Sequence, residues 1–286
     1  MNEPANSSLL QQYEQLKALA GGTWFASPDS SRPHAPPNLR RIRDLTLLAL
    51  LGDLSLVIAC DSNASIGEKP NDALKVPYSE VGVSALKVTL MEVLAAGAVP
   101  ILIVNALCME MEPSGRKMIE VMRSELVRSG FDPSIMLTGS TEDNAHTTQS
   151  GIGITVIGLA TEERLRVGWT SLGDVVLCVG NPKSGVDTPY SEYDPDIATI
   201  RTVLALVQME EVHEILPVGS KGVWYEANEL ARFVGREFRL TEEQVPINIR
   251  ASAGASTAVL ISTRAENVDR VTRAVSVPTY RIGTVE

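Results

Sequence analysis

Carboxylates that close apolar runs are the residues of this 286-residue chain best placed to do chemistry. Asp61 ends the run Leu-Val-Ile-Ala-Cys and opens the small polar loop Ser62-Asn63-Ala64-Ser65. A carboxylate there suits a metal or phosphate site at a sheet edge, and equally an Asx-turn that bonds the next backbone amides. Glu92 lies in a helical stretch where its same-face neighbours are Val88, Thr89, Ala95 and Ala96. Unpaired burial of a carboxylate is costly, so Glu92 calls for a positive partner, either a metal ion or a lysine such as Lys87. A third acidic stretch, Gly139-Ser140-Thr141-Glu142-Asp143-Asn144, follows the strand-like Leu137-Thr138. Its hard oxygen ligands suit magnesium, which takes carboxylates together with water and substrate phosphates. His146, just beyond, is placed to assist a substrate hydroxyl.

Glycine loops recur at Ile66-Gly67-Glu68-Lys69, Gly180-Asn181-Pro182-Lys183-Ser184-Gly185 and Gly219-Ser220-Lys221-Gly222. The last lies between a predicted strand and a predicted helix, where helix N-terminal amides can hold an anion. Neither the phosphate-loop pattern nor the dinucleotide fingerprint occurs, nor a nucleophile elbow or His-Glu-x-x-His pair. The net charge of −10 argues against a nucleic-acid coat, which needs a basic face. A small phosphorylated ligand remains compatible, because a divalent metal bridges carboxylates to phosphates. The 3 cysteines, widely spaced in apolar runs, form neither a disulfide framework nor a zinc knuckle. Met1 to Ser8 is polar, without a basic stretch followed by an apolar one, and no apolar run is long enough to span a bilayer, so a cytoplasmic protein is expected.

These residues need a scaffold. Residues 8–20 read as a short amphipathic helix, and 27–37 as a Ser/Pro-rich arm that includes His34. Apolar β-rich runs, 44–51 and 54–61, flank the hairpin signal Gly52-Asp53. A helix over 81–96, a strand over 99–107, a helix opened by Pro113, and strands over 134–138 and 151–160 follow. A second unit has strands over 174–180, 214–218, 256–262 and 280–285, with helices over 194–209, 223–233 and 265–274. This alternation predicts an α/β (α+β) chain of two domains. They are an N-terminal helix and arm over 1–42, a first domain over 43–165 and a second over 166–286.

The order "ACDS…GEK", "VGVSALKVTLMEVLAAGAVPILIV", "MLTGSTEDN" and "SLGDVVLCVG" resembles the aminoimidazole ribonucleotide (AIR) synthetase superfamily across most of 43–286. That resemblance implies a homodimer pairing N-terminal sheets and binding ATP with Mg2+ between domains. It places Asp61, Glu92 and Glu142 at the metal. Asp61, Gly67, Lys69, Gly139, Ser140, Thr141, Lys183 and Lys221 fall at the nucleotide, and Glu142, Asp143 and His146 at the reacting hydroxyl. Glutamate stands at 92 where the family has aspartate, and the loop acid comes one place late, so Glu142 and Asp143 compete as ligand. Loops that mark thiamine-monophosphate kinases and selenophosphate synthetases are absent, as is the terminal cysteine of the hydrogenase-maturation members. "LTGSTEDN", "GNPKSG" and "LPVGSKGVWYEANELA" look most like α-ribazole kinases, implying a small-molecule nucleoside acceptor. An AIR synthetase-like ligase and a non-catalytic nucleotide-binding subunit are the alternatives.

Overall fold

The computed structural model describes Gln11, Tyr13, Glu14 and residues 39–185, 188–241 and 244–286. The arm with His34 and most of the expected first helix lie outside the described residues. Gln11, Tyr13 and Glu14 are helical.

The N-terminal half supplies eight strands: Leu39–Ile42 (β1), Leu45–Leu51 (β2), Leu54–Ala64 (β3), Ile66–Gly67 (β4), Leu74–Lys75 (β5), Val99–Leu107 (β6), Leu137–Thr141 (β7) and Gly151–Thr161 (β8). Six of them form a sheet in the order β1-β2-β3-β8-β6-β7, while β4 and β5 pair separately. The hairpin between β2 and β3 turns at Gly52-Asp53, with Gly52 at φ 64. β1 falls in the stretch read from sequence as arm. It folds back on β2 through the two-residue turn Arg43-Asp44, in which Arg43 takes φ 54. Burial alternates residue by residue along β8, so Ile152, Ile154 and Val156 face the core and Thr155, Ile157 and Leu159 the other side.

Helix α1 (Tyr78–Ala95) covers the core side of this sheet and packs beside α2 (Arg116–Arg128). Most of the 18 residues of α1 are buried, because a second sheet closes on its far side. That sheet contains Val175–Val179 (β9), Val212–Pro217 (β10), Phe238–Leu240 (β11), Val259–Thr263 (β12) and Thr279–Val285 (β13). Its order is β10-β12-β9-β13-β11, antiparallel throughout. Val175, Leu177 and Val179 of β9 join the core around α1, together with α3 (Ile200–Val207). Val176 and Cys178 face a second core beneath α4 (Gly222–Phe233). A last helix, α5 (Val268–Ala274), precedes β13.

Three expectations need correction. The helix expected over 194–209 is confined to α3, because Thr199 caps its N-terminus, accepting from the Thr202 N–H at 3.3 Å. Pro113 lies in the irregular turn Met111–Gly115, so α2 begins only at Arg116. Residues 133–136 form one helical turn capped by Asp132, and the strand expected there starts at Leu137.

Fully buried Glu214 ties the β1–β2 turn to the second sheet. It accepts from Arg43 Nη2 at 2.7 Å, the Thr170 hydroxyl at 2.7 Å, and the N–H groups of Gly168 at 3.1 Å and Thr170 at 3.2 Å. Removing the guanidinium leaves a buried carboxylate held by dipoles alone. Arg43→Met is therefore expected to lower the unfolding free energy by about 3 kcal/mol. Urea denaturation at unchanged m-value checks this, and a loss below about 0.5 kcal/mol would show that the dipoles suffice.

Candidate functional site

A cavity of about 1000 Å³ lies where the two sheets approach α1. Glu80, Val81, Ser84, Val88 and Glu92 share the face of α1 that lines it, at helical spacing. Because α1 rises 1.5 Å per residue, Val81 and Glu92 stand about 16 Å apart, at opposite ends. Around Glu92 gather Asp61 from β3, Asp44 and Arg43 from the β1–β2 turn, and Lys221 and Glu226 from the start of α4. Around Val81 gather Ile66 and Leu74, paired between β4 and β5, with Val76, Gly185 and Tyr190. One end is thus acidic with scattered cations, and the other sets apolar side chains beside Glu80, Ser84, Tyr190 and Glu192.

The acidic end is under electrostatic stress. Burial, then repulsion from Asp44, Glu226 and Asp61, pushes the Glu92 carboxyl up to about 8, against a smaller pull from Arg43. Burial, then Asp44, pushes Glu226 up to about 7. Asp61 is raised by burial, opposed by a hydrogen bond from the Ser62 backbone and reinforced by Asp44. Carboxylates that repel one another in a partly dry cleft suit a cation, so Asp61 and Glu92 fit a magnesium ion chemically.

Of the expected site residues, the structure brings Asp61, Glu92 and Lys221 into this cavity. Glu142 lies at the same end of the sheet but beyond β8 and β6. Three strand spacings separate β7 from β3, about 14 Å. Among the described residues, no three His, Cys, Asp or Glu side chains converge at metal-binding spacing. Glu142 accepts from the N–H groups of Asn144 at 2.7 Å and Ala145 at 3.2 Å. Asp143 accepts from the Met111 N–H at 2.9 Å and the Thr141 hydroxyl at 2.8 Å, which hold its carboxyl below the usual range. Ser140 and His146 are exposed on this side.

The other expected residues are engaged in ion pairs or close packing. Lys69 pairs with Glu110, and its N–H donates to Asp72 at 2.8 Å. Lys183 bridges Asp194 at 3.0 Å and Asp196 at 2.7 Å. Gly67 lacks space for a side chain, since a Cβ would stand 2.4 Å from the Ser150 hydroxyl oxygen. Gly139 is required by β6, as its Cβ would lie 2.1 Å from the Asn105 carbonyl oxygen. Reading the sequence missed Arg41, Arg43, Asp44, Glu226, Tyr190 and Glu192, all of which line the cavity. A polar Arg-Asp pair between apolar runs marks Asp44, whereas nothing local marks Tyr190 or Glu192.

The architecture is the AIR synthase-like fold. No protein-family model and no curated protein sequence matches the chain. Among solved structures it is similar to HypE from E. coli, with TM-score 0.61 and 16% identity over 96% of this chain and 90% of that one. It is also similar to thiamine-monophosphate kinase from Stenotrophomonas maltophilia, with TM-score 0.58 and 15% identity over 87% of this chain and 89% of that one. The hydrogenase maturation protein HypE in complex with ATP matches with TM-score 0.57 and 16% identity over 98% of this chain and 84% of that one. At such identities the likeness is one of fold.

The raised Glu92 carboxyl has a consequence for stability. Its ordinary value is 4.5 and its folded value about 8, so between them the folded chain keeps a proton that the unfolded chain has lost. The stabilisation is complete below the lower value and is lost as pH rises through the upper one. In EDTA, Tm is expected to fall between about pH 5 and pH 8.5. Glu92→Gln should flatten that decline and raise Tm at the alkaline end by at least about 2 °C. Parallel melting curves for both proteins would refute the assignment.

Proposed function

We propose that the chain is an ATP-dependent small-molecule kinase that phosphorylates the 5′-hydroxyl of α-ribazole, for assembly of a cobamide nucleotide loop. The observation that supports this reading is the cavity itself. It pairs an end rich in carboxylates and cations with an apolar end, in a fold that holds ATP in a HypE structure. Asp61 and Glu92 hold the cation, and Lys221 and Arg41 offset phosphate charge. When bound, Mg2+ neutralises charge on the phosphates and aligns them for transfer. Glu226, pushed up to about 7, is suited to take the proton of the acceptor hydroxyl near neutral pH.

A homodimer belongs to this proposal. The outer side of the six-stranded sheet carries two apolar cross-strand rows, Leu48–Leu56–Leu159 and Ile58–Ile157–Leu102. They stay partly exposed because no layer of the described chain covers them. Glu142, Asp143 and His146 would reach the chemistry only in such an assembly, since one chain keeps them out of its own cavity. The domain division near 165–166 is likewise proposed, within the connector between Thr161 and Val175.

Incubation with Mg2+, ATP and α-ribazole, thiamine monophosphate or formylglycinamidine ribonucleotide tests the reaction. A stable α-ribazole phosphate ester is expected. Free phosphate with a new bond would favour the ligase, and binding without turnover a non-catalytic subunit. Asp61→Asn and Glu92→Gln should each cut turnover about 100-fold or more while leaving Tm at neutral pH near or above normal. Near-normal turnover in both would remove the acidic end from the mechanism. Light scattering should show a dimer, and Ile157→Arg a monomer, because a charge on the apolar row opposes burial. Mixing inactive Asp61→Asn with inactive Glu142→Gln chains should restore part of the activity if the site is shared. No recovery on co-refolding would confine catalysis to one chain.

A further inference from the structure

The apolar end of the cavity is bordered by Tyr190, Ser191 and Glu192, which polar groups fasten to α1. Lys87 of α1 donates to Glu192 at 2.5 Å, and both side chains are 2% exposed. The other Glu192 oxygen accepts from the Tyr190 hydroxyl at 2.9 Å. Glu80 of α1 accepts from the Ser191 hydroxyl at 2.9 Å and from the Glu192 N–H at 2.6 Å. Gly185 approaches β5, where its Cβ would lie 3.3 Å from Leu74 Cδ2. An isolated surface turn does not need a buried ion pair and three further hydrogen bonds to hold it. What these bonds fix is the position of Tyr190 on the wall of the cavity that Ile66, Leu74 and Val81 also line. Lys87, neutralised by Glu192, offers no free charge to a phosphate there.

We propose that this end is a subsite for an uncharged, flat nitrogen heterocycle borne on a ribose, with Tyr190 as the contacting ring and Glu192, held by Lys87, as its positioning residue. This rests on the kinase reading only in assigning the ribose and phosphates to the other end. An aromatic face combined with aliphatic walls favours a planar ring through stacking and apolar contact, without requiring a charged partner. The ring is that of the acceptor nucleoside or that of the nucleotide, two sources sharing one chemistry.

Ring binding is measured with benzimidazole riboside and with adenosine, both lacking phosphate, in EDTA, so the result does not depend on turnover or metal. Titration of methyl-labelled wild-type protein should shift the Ile66, Leu74, Val76 and Val81 methyl signals for at least one probe, and the probe that does so names the source. Tyr190→Ala should weaken that probe about ten-fold or more, while Tyr193→Ala, three residues on, leaves it unchanged. Glu192→Gln should weaken it several-fold in the wild-type background and have no further effect on top of Tyr190→Ala, because it acts through the ring. Additive losses would overturn the positioning role. Methyl shifts confined to residues outside the apolar end, or no shifts with either probe, would overturn the subsite even if phosphoryl transfer is demonstrated. Conversely, ring binding without any phosphoryl transfer would keep the subsite and discard the kinase.

Discussion

Everything at the cavity depends on α1 being buried from two sides. The six-stranded sheet covers one flank, and α3 and β10 cover the other, so an ordinary amphipathic pattern would leave its polar residues stranded. Each polar side chain on α1 must find a partner or face open space. Glu80 takes donors from Ser191 and Glu192, Lys87 takes Glu192, and Thr89 is close to the Leu86 carbonyl at 3.4 Å. Glu92 has only the cavity, and there it meets other carboxylates. The helix therefore decides where the cavity runs and which of its ends carries charge.

Much of this scaffold was legible in the residues. The Gly52-Asp53 hairpin, the alternation along β8 and the apolar run of β9 carry local periodicity, which sequence reports directly. β1 was not legible, because its four residues become a strand only by pairing with β2 behind the turn at Arg43. Asp61 and Glu92 stood out because an acid at the end of an apolar run, or inside a helix without a local partner, conflicts with its surroundings. Lys69 and Lys183 drew attention for their glycine loops. Their partners were not legible: Glu110 lies 41 residues away and Asp196 13, so neutralisation is tertiary. Glu192 meets Lys87 across 105 residues, a separation that no local pattern reveals.

The two ends of the cavity are stabilised by opposite means. At the apolar end, every buried charge is satisfied: Lys87 by Glu192, and the loop backbone by Glu80. Such pairs gain little net stability over apolar packing, so their use here is to fix geometry. At the acidic end, Asp61, Glu92 and Glu226 are raised by partial burial and by neighbouring carboxylates, Asp44 among them, instead of being paired. Arg43, the cation nearest to relieving them, is drawn away to Glu214.

That imbalance argues for function at the acidic end more strongly than the presence of acids does. Surface carboxylates cluster freely where water screens them, but partial burial, as at Asp61, Glu92 and Glu226, weakens the screening, and an excess of like charge there lowers stability. Buried Glu214 and Lys87 are neutralised by Arg43 and Glu192 across long stretches of sequence, so pairing is available to this fold. Here Glu92 and Glu226 are left repelling each other, with Lys221 held against the Tyr225 ring at 4.2 Å from its centroid. A site tuned to receive cationic or metal-bridged charge is the arrangement in which that repulsion becomes useful, since the incoming charge supplies the missing half of the balance.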